Sequence, residues 1–274
     1  MVNYDYPFHD HFFIFYIFLG SVLLVLNLQT LLVIRRSKCL WILSAYRIIF
    51  FGSCADAMNC GLQVAVVAIT LRTPIIYPTL NSFLGALFQA SYAMEYPTIV
   101  VLAFNRFIAV VLPRRMDRIF NRRNTMIILI LCYLFGAFNG ALCLSGQIRS
   151  MWDPSIPTFY YTNESSFTAS FMRTMDFYFG EFVYITSFII YLIIVVFLLC
   201  NRQLIRSLRV ELPLLLHSFQ IFTLSGILLY LWFYPVSDSV LYHHIVNSLI
   251  IFRFGTTPIS LLVTNRYSAA PHLW

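Results

Sequence analysis

Seven stretches of the chain are long and apolar enough to cross the hydrocarbon core of a bilayer, and every other reading has to fit around them. A helix rises about 1.5 Å per residue, so roughly 20 apolar residues are needed for one crossing. Runs of that order occupy approximately 12–34, 42–71, 79–112, 125–146, 177–200, 212–235 and 244–264. The second and third are long enough to tilt or to project beyond the membrane. With 60% hydrophobic and 11% charged residues, against about 25% charged in a soluble domain, the chain cannot cover a water-facing surface. The expectation is an all-α membrane protein, a seven-transmembrane helix bundle that forms one domain over residues 1–274, without repeats or a soluble appendage.

The net charge of +7 at first suggests a nucleic-acid partner, but its distribution points elsewhere. Fourteen of the 18 basic residues fall on one side of the predicted bundle: Arg35, Arg36 and Lys38, then Arg114, Arg115, Arg118, Arg122 and Arg123, then Arg202, Arg206 and Arg209, with Arg47, Arg106 and Arg266 at span ends. Arg72, Arg149 and Arg173 lie opposite, together with Asp5, Asp10, Asp153, Glu164, Asp176 and Asp238. An excess of Lys and Arg in short loops marks the cytoplasmic side, so the N-terminus is expected outside and the C-terminus inside. The partners expected from this charge are the bilayer and its anionic lipids, not nucleic acid.

The first 11 residues carry Asp5 and Asp10 and no Lys or Arg, the wrong flank for a cleavable signal, so the first span is expected to stay as an anchor. Asn163-Glu164-Ser165 is an N-glycosylation acceptor pattern in the one sizeable connector, Gln147 to Asp176, on the expected lumenal side. Four of the six cysteines, Cys54, Cys60, Cys132 and Cys143, lie within spans, and Cys39 and Cys200 sit at cytoplasmic ends. They read as small apolar residues and not as a disulfide framework or a metal site; Cys39 or Cys200 could carry a palmitoyl group.

Charge inside a span is costly, and three residues bear it. Asp56 lies 14 residues into span two, Glu95 lies 11 before Arg106, and Arg253 lies 13 before Arg266. At the helical rise these offsets place all three about 16 to 21 Å from the cytoplasmic boundary. Equal depth permits a cluster in which Arg253 faces both carboxylates, one of them free to keep its proton. Asn27, midway along span one, is within reach of the same depth. Two roles stay open for this cluster, a staple and a switch. Pro97, two residues after Glu95, and Pro258, five after Arg253, release backbone carbonyls and allow kinks beside the charges.

Asn105-Arg106-Phe107 at the inner end of span three, followed by Pro113 and basic Arg114 and Arg115, resembles the Asp-Arg-Tyr motif and following proline of rhodopsin-like G-protein-coupled receptors. Asn27 and Asp56 match polar positions of that superfamily, and Thr257-Pro258-Ile259-Ser260-Leu261 resembles a degraded Asn-Pro-x-x-Tyr motif. The wording of Ala45 to Gly52 with Asp56, of Asn105 to Pro113, and of Ile119 to Thr125 is similar to nematode serpentine chemoreceptors of class X, T or V. The resemblance covers all seven spans. It implies a chemosensory receptor in the plasma membrane, of a sensory cilium by family likeness, with a small-molecule ligand and a heterotrimeric G protein as partners. By the same resemblance Arg106 belongs to the G-protein-facing end, and Asp56 to a central polar pocket in which related receptors often hold sodium.

Several features depart from that pattern. Asn105 stands where an acid would restrain Arg106, and Asn81 stands where the cysteine of the usual outer disulfide is expected. Span six has prolines only at its ends, Pro213 and Pro235, and with eight residues after Arg266 no amphipathic eighth helix is expected.

A ligand cavity between helices needs apolar walls and a few polar groups. The candidates in the outer halves are Gln89, Tyr92, Tyr178, Glu181, Tyr184, Tyr230, Trp232 and Asn247, with Tyr242 and His243 nearby. Glu181 is the strongest polar candidate, because an acid just inside the boundary needs a partner. A transporter or an ion or proton channel using Asp56, Glu95 and Arg253 is the alternative reading. No hydrolase or zinc motif occurs, and His243-His244 reads as a solvated span end, so no enzyme, cofactor or metal is expected. The single lysine, Lys38, lies in a loop, which excludes a retinal Schiff base inside the membrane.

Overall fold

The computed structural model describes residues 9–73, 76–162, 166–201 and 208–268. Asp5, Arg202, Arg206 and the acceptor tripeptide at Asn163 lie outside the described residues. The rods are α1 (His9–Arg36), α2 (Ser44–Arg72), α3 (Pro78–Val111), α4 (Arg122–Leu144), α5 (Phe167–Cys200) and α6 (Leu208–Phe233), followed by α7 (Val240–Arg253) and α8 (Thr256–Ser268). Helices α1 to α5 are each long and apolar enough for a crossing, α7 with α8 makes one span bent by 51°, and His217–Phe233 is a shorter apolar helix. Stripes such as Phe182, Ile185, Ile189, Leu192, Val196 and Leu199 of α5 are exposed at three- and four-residue spacing. That is the pattern of a helix turning one greasy face to lipid.

Helix α3 is the central rod and packs against α2, α4, α5 and α6. Apolar burial does little to hold helices together inside hydrocarbon, so close backbone approach and polar contacts must do it. The seam between α3 and α4 shows this. Gly136 and Gly140 of α4 lie one turn apart against Ala86 and Ala90 of α3, and a Cβ on Gly136 would fall 2.4 Å from the Ala90 carbonyl oxygen. Larger core groups fill the space among α3, α5 and α6, where Tyr96, Val183, Ile194, Phe222 and Leu229 meet.

Three sequence expectations are corrected here. The connector from Gln147 to Asp176 is not an open loop: β1 (Arg149–Asp153) and β2 (Thr158–Thr162) form an antiparallel hairpin, and α5 begins at Phe167. Alternation does this locally, because Ser150 and Trp152 point inward along β1, and Asp153 Oδ1 accepts from the backbone N–H of Ser155 at 2.8 Å to close the turn. The last span is not one continuous helix, since α7 stops at Arg253 and α8 starts at Thr256. Pro258 sits in the first turn of α8, where a missing N–H costs nothing. The carbonyl it would have bonded is that of Phe254, which instead accepts Asn27 Nδ2 at 2.9 Å. Pro97, by contrast, lies inside α3 without breaking it. Finally, His244 is not solvated: it is fully buried, stacked on Phe12 at 4.3 Å, with Nδ1 2.7 Å from the Tyr16 hydroxyl.

Candidate functional site

The hairpin lies across one end of the bundle, and local chemistry seats it there. Asn81 opens α3 and grips one residue of β1 at two points: its Nδ2 donates to the Trp152 carbonyl at 3.0 Å, and its Oδ1 accepts from the Trp152 N–H at 2.8 Å. One turn along, Gly85 leaves room for the strand, since a Cβ there would lie 1.9 Å from the Ser150 carbonyl oxygen. Phe159 of β2 stacks on Phe88 of α3 at 4.4 Å and packs edge-on against Trp152. The hairpin is thus docked without a disulfide, and all six cysteines are free.

Beneath the hairpin is a cavity of about 360 Å³, within the usual range for small-molecule sites. Of the residues expected at a ligand site, Gln89, Tyr92, Trp232 and Asn247 line it, with Tyr242 and His243. Tyr184 is buried in the packing of α5 against α3 and α6 and lies edge-on to Tyr96. Tyr178 and Tyr230 are exposed, at 64% and 60%. Glu181 is exposed too and does not line the cavity.

The acid on the cavity wall is Asp176. Gln89 Nε2 donates to both its oxygens, at 3.2 and 3.0 Å, and the Tyr161 hydroxyl of the hairpin donates to Oδ2. Burial, reinforced by the Asp176 carboxylate, holds the Tyr161 phenol well above its ordinary pKa. The apolar run begins at 177, which by sequence alone leaves Asp176 in the preceding connector. With α5 starting ten residues earlier, Asp176 faces inward, and Glu181, five residues on, sits about 140° further round the helix.

Below the cavity the three charges inside the spans come together. Arg253 Nη1 lies 3.1 Å from Asp56 Oδ1 and also pairs with Glu95 Oε2. Arg253 Nε donates to Ser225 Oγ at 2.8 Å, and Thr257 Oγ1 donates to Asp56 Oδ2 at 3.2 Å. Asn59 Nδ2 donates to Glu95 Oε1 at 3.2 Å, and Ser91 donates to Asn59. Such a surround is what keeps buried charges tolerable, because every polar atom left unpaired in low dielectric is costly. Asn27 does not join the charges, and its amide serves the helix break beside them. Sequence reasoning missed Asn59, Ser91, Ser225 and Thr257. Asn59 and Ser91 were findable, since each lies three or four residues from a charge of the cluster on its own helix, Asp56 and Glu95, and so shares that face; Thr257 follows Arg253 by four residues but across the helix break.

Cavity and charge cluster are neighbours. Tyr92 and Tyr96, one turn apart on α3, line the cavity on either side of the position from which Glu95 reaches Arg253. Tyr92 lies within electrostatic reach of Arg253 and Glu95 as well as Asp176.

At the Arg-rich end, Asn105 Nδ2 donates to Ser44 Oγ at 2.8 Å, tying α3 to the start of α2. Arg106 is buried and close enough to Tyr191 of α5 and His217 of α6 to act on both electrostatically. Pro113, Arg114 and Arg115 form an exposed single turn.

A search of the curated proteins found no match. The family model for the serpentine type seven-transmembrane G-protein-coupled chemoreceptor Srx matches residues 17–257. That span takes in the cavity, the hairpin and the charge cluster alike, and the chain therefore belongs to the Srx family of serpentine seven-transmembrane chemoreceptors.

Proposed function

We propose that a small molecule bound beneath the hairpin biases the bundle between two packings, and that the Arg-rich end reports the change to a heterotrimeric G protein. The observation that carries this reading is the shared stretch of α3 from Tyr92 to Tyr96, which belongs to the cavity and to the charge cluster at once. A ligand that moves either tyrosine shifts the backbone holding Glu95. Glu95 answers to Arg253, the last residue of α7, just before the 51° break. A bent span whose corner is held by charges is a two-state element that a ligand can tip, provided it binds the two packings unequally.

The basic excess orients this scheme. The N-terminus and the hairpin lie outside, the C-terminus and the basic turns inside, and Asn163 is then available for glycosylation. The exposed turn of Pro113, Arg114 and Arg115 meets the G protein, with Asn105 and Arg106 buried behind it, in the plasma membrane and, by family likeness, of a sensory cilium.

The test is expression with a promiscuous G-protein reporter against a chemically broad panel, with Arg106→Ala alongside. A response that disappears in Arg106→Ala supports the scheme. A response independent of Arg106, or ion flux through reconstituted vesicles with no G-protein activation, contradicts it.

A further inference from the structure

The polar groups around the cavity are unequal. Its charged residues are Asp176 on the wall and Arg173 one turn earlier on α5, and His243 of α7 lines it too. Arg173 is exposed, whereas Asp176 turns its open side to the cavity. Exposed charge is screened by water and salt within a short distance, and partly buried charge much less. The carboxylate of Asp176 therefore dominates the field inside. Its hydrogen bonds come from Gln89 and Tyr161, neutral donors that orient it without cancelling its charge.

Three further features bear on what the cavity can hold. Gln63 Oε1, on a residue 1% exposed that lines the same cavity, has no hydrogen-bond partner among the described residues. A buried acceptor of this kind calls for a donor, as Asn247 Nδ2 on the same cavity, also without a partner among the described residues, calls for an acceptor group on the ligand. Beyond Tyr92 and Tyr96, the cluster of Asp56, Glu95 and Arg253 has two carboxyl groups for one guanidinium, so it adds no net positive charge to the floor. Phe88, Phe159, Trp232 and Phe233 line the wall among aliphatic residues such as Leu228, Leu231 and Val246, and ring faces attract cations.

We infer that the cavity seats a compact organic ammonium, with Asp176 as its counter-ion and the aromatic rings around its body. The inference rests on the reading of the cavity as the ligand site. The ammonium donates to the Asp176 carboxylate, and a donor elsewhere on a larger ligand can satisfy Gln63. A carboxylate ligand would face Asp176 across the same space and is excluded from that seat.

The experiment uses the purified full chain and matched probes that differ only at the head group: phenethylamine, phenethyl alcohol and phenylacetate, and butylamine, butanol and butyrate. Thermal melting reads binding, and the same probes go into the G-protein reporter. The expected result is stabilisation by an amine, none by its alcohol or acid, and a loss of apparent affinity of at least about 30-fold in Asp176→Asn, as for other buried charge pairs stripped of one partner. Should Asp176→Asn fail to fold, Tyr161→Phe decides: it removes a neutral donor from the carboxylate, and amine binding tightens by about three- to tenfold. Unchanged or weaker amine binding in Tyr161→Phe overturns the inference. So do stabilisation by the acids that vanishes in Arg173→Ala, no stabilisation by either amine, and amine binding that survives Asp176→Asn. Amine binding without reporter activation contradicts the receptor scheme and leaves the seat standing. Activation by an alcohol or acid, unaffected in Asp176→Asn, does the reverse.

Discussion

Along α3 the same kind of residue, a polar side chain inside a membrane helix, is used in two ways. Near the hairpin, Asn81 and Gln89 hold a strand backbone and the carboxylate of Asp176 with amide groups. Two turns further in, Glu95 is tied to a full positive charge that Asp56 shares. The difference lies in what happens when a partner is removed. An amide contact at the rim can be replaced by water. A charge at mid-depth has no such substitute, and the whole bundle must accommodate it. The hairpin dock is therefore a local device and the charge cluster a global one.

The comparison breaks most visibly at Arg253. Arg253→Met leaves two carboxyl groups facing each other in a dry site, and loss of one partner from a buried pair costs about 3–5 kcal/mol. Surface expression and thermal midpoint should fall sharply, and wild-type expression with an unchanged ligand response would remove the cluster from the mechanism. At the rim, Gly85→Ala drives a methyl into the Ser150 carbonyl. Overpacking of this kind costs about 1–3 kcal/mol, and the expected sign is protease sensitivity confined to the hairpin while the helices stay intact.

Asn81→Ala removes both contacts to Trp152, whose N–H and carbonyl then lack partners, at about 1–3 kcal/mol if they stay buried. The hairpin should loosen by the same proteolytic measure, and in the unmodified protein reductant should have no effect on it, because Asn81 stands where a cysteine would make docking redox-dependent. Alkaline titration gives a smaller effect. The folded-state pKa of Tyr161 is raised above the ordinary 10, so its contribution is fully present below pH 10 and is lost as pH climbs from there through the raised value. Tyr161→Phe should flatten that alkaline loss of hairpin protection. Smallest of all, Glu181→Gln should change stability by no more than about 0.5 kcal/mol, as at an ordinary exposed position. A large loss of ligand response there would restore Glu181 to the site.

The contrast between Asp176 and Glu181 also shows what was legible in the sequence. Spans and buried charges stand out because bilayer crossing demands long apolar runs, and a lone Arg253 in such a run is conspicuous. Depth could be counted along each helix, which is how Asp56, Glu95 and Arg253 were matched, although the α7–α8 break makes the count from Arg266 only approximate. Helix starts outside the apolar run were harder. The first ten residues of α5 include Thr168, Ser170, Arg173, Thr174 and Asp176, polar enough to read as loop, and Ser166 as their cap went unrecognised although its side chain accepts from the Ala169 N–H. The hairpin had its signals in the alternation of β1 and the Asp153-Pro154-Ser155 turn. They are short and faint beside the long apolar runs that flank them. Asn81 could be noted only as a missing cysteine, because its partner is a backbone 71 residues away.

The central claim is that the charge cluster couples the cavity to the Arg-rich end. The most direct measurement is G-protein activation by the triple variant Asp56→Asn, Glu95→Gln, Arg253→Met, which removes all three charges together, compared with the unmodified receptor at matched surface expression. The account predicts a protein that folds and reaches the surface, because no buried charge is left unpaired, but whose reporter signal no longer changes across the ligand panel. A ligand response equal to that of the unmodified receptor would show that the charges only staple the helices, and would contradict the account.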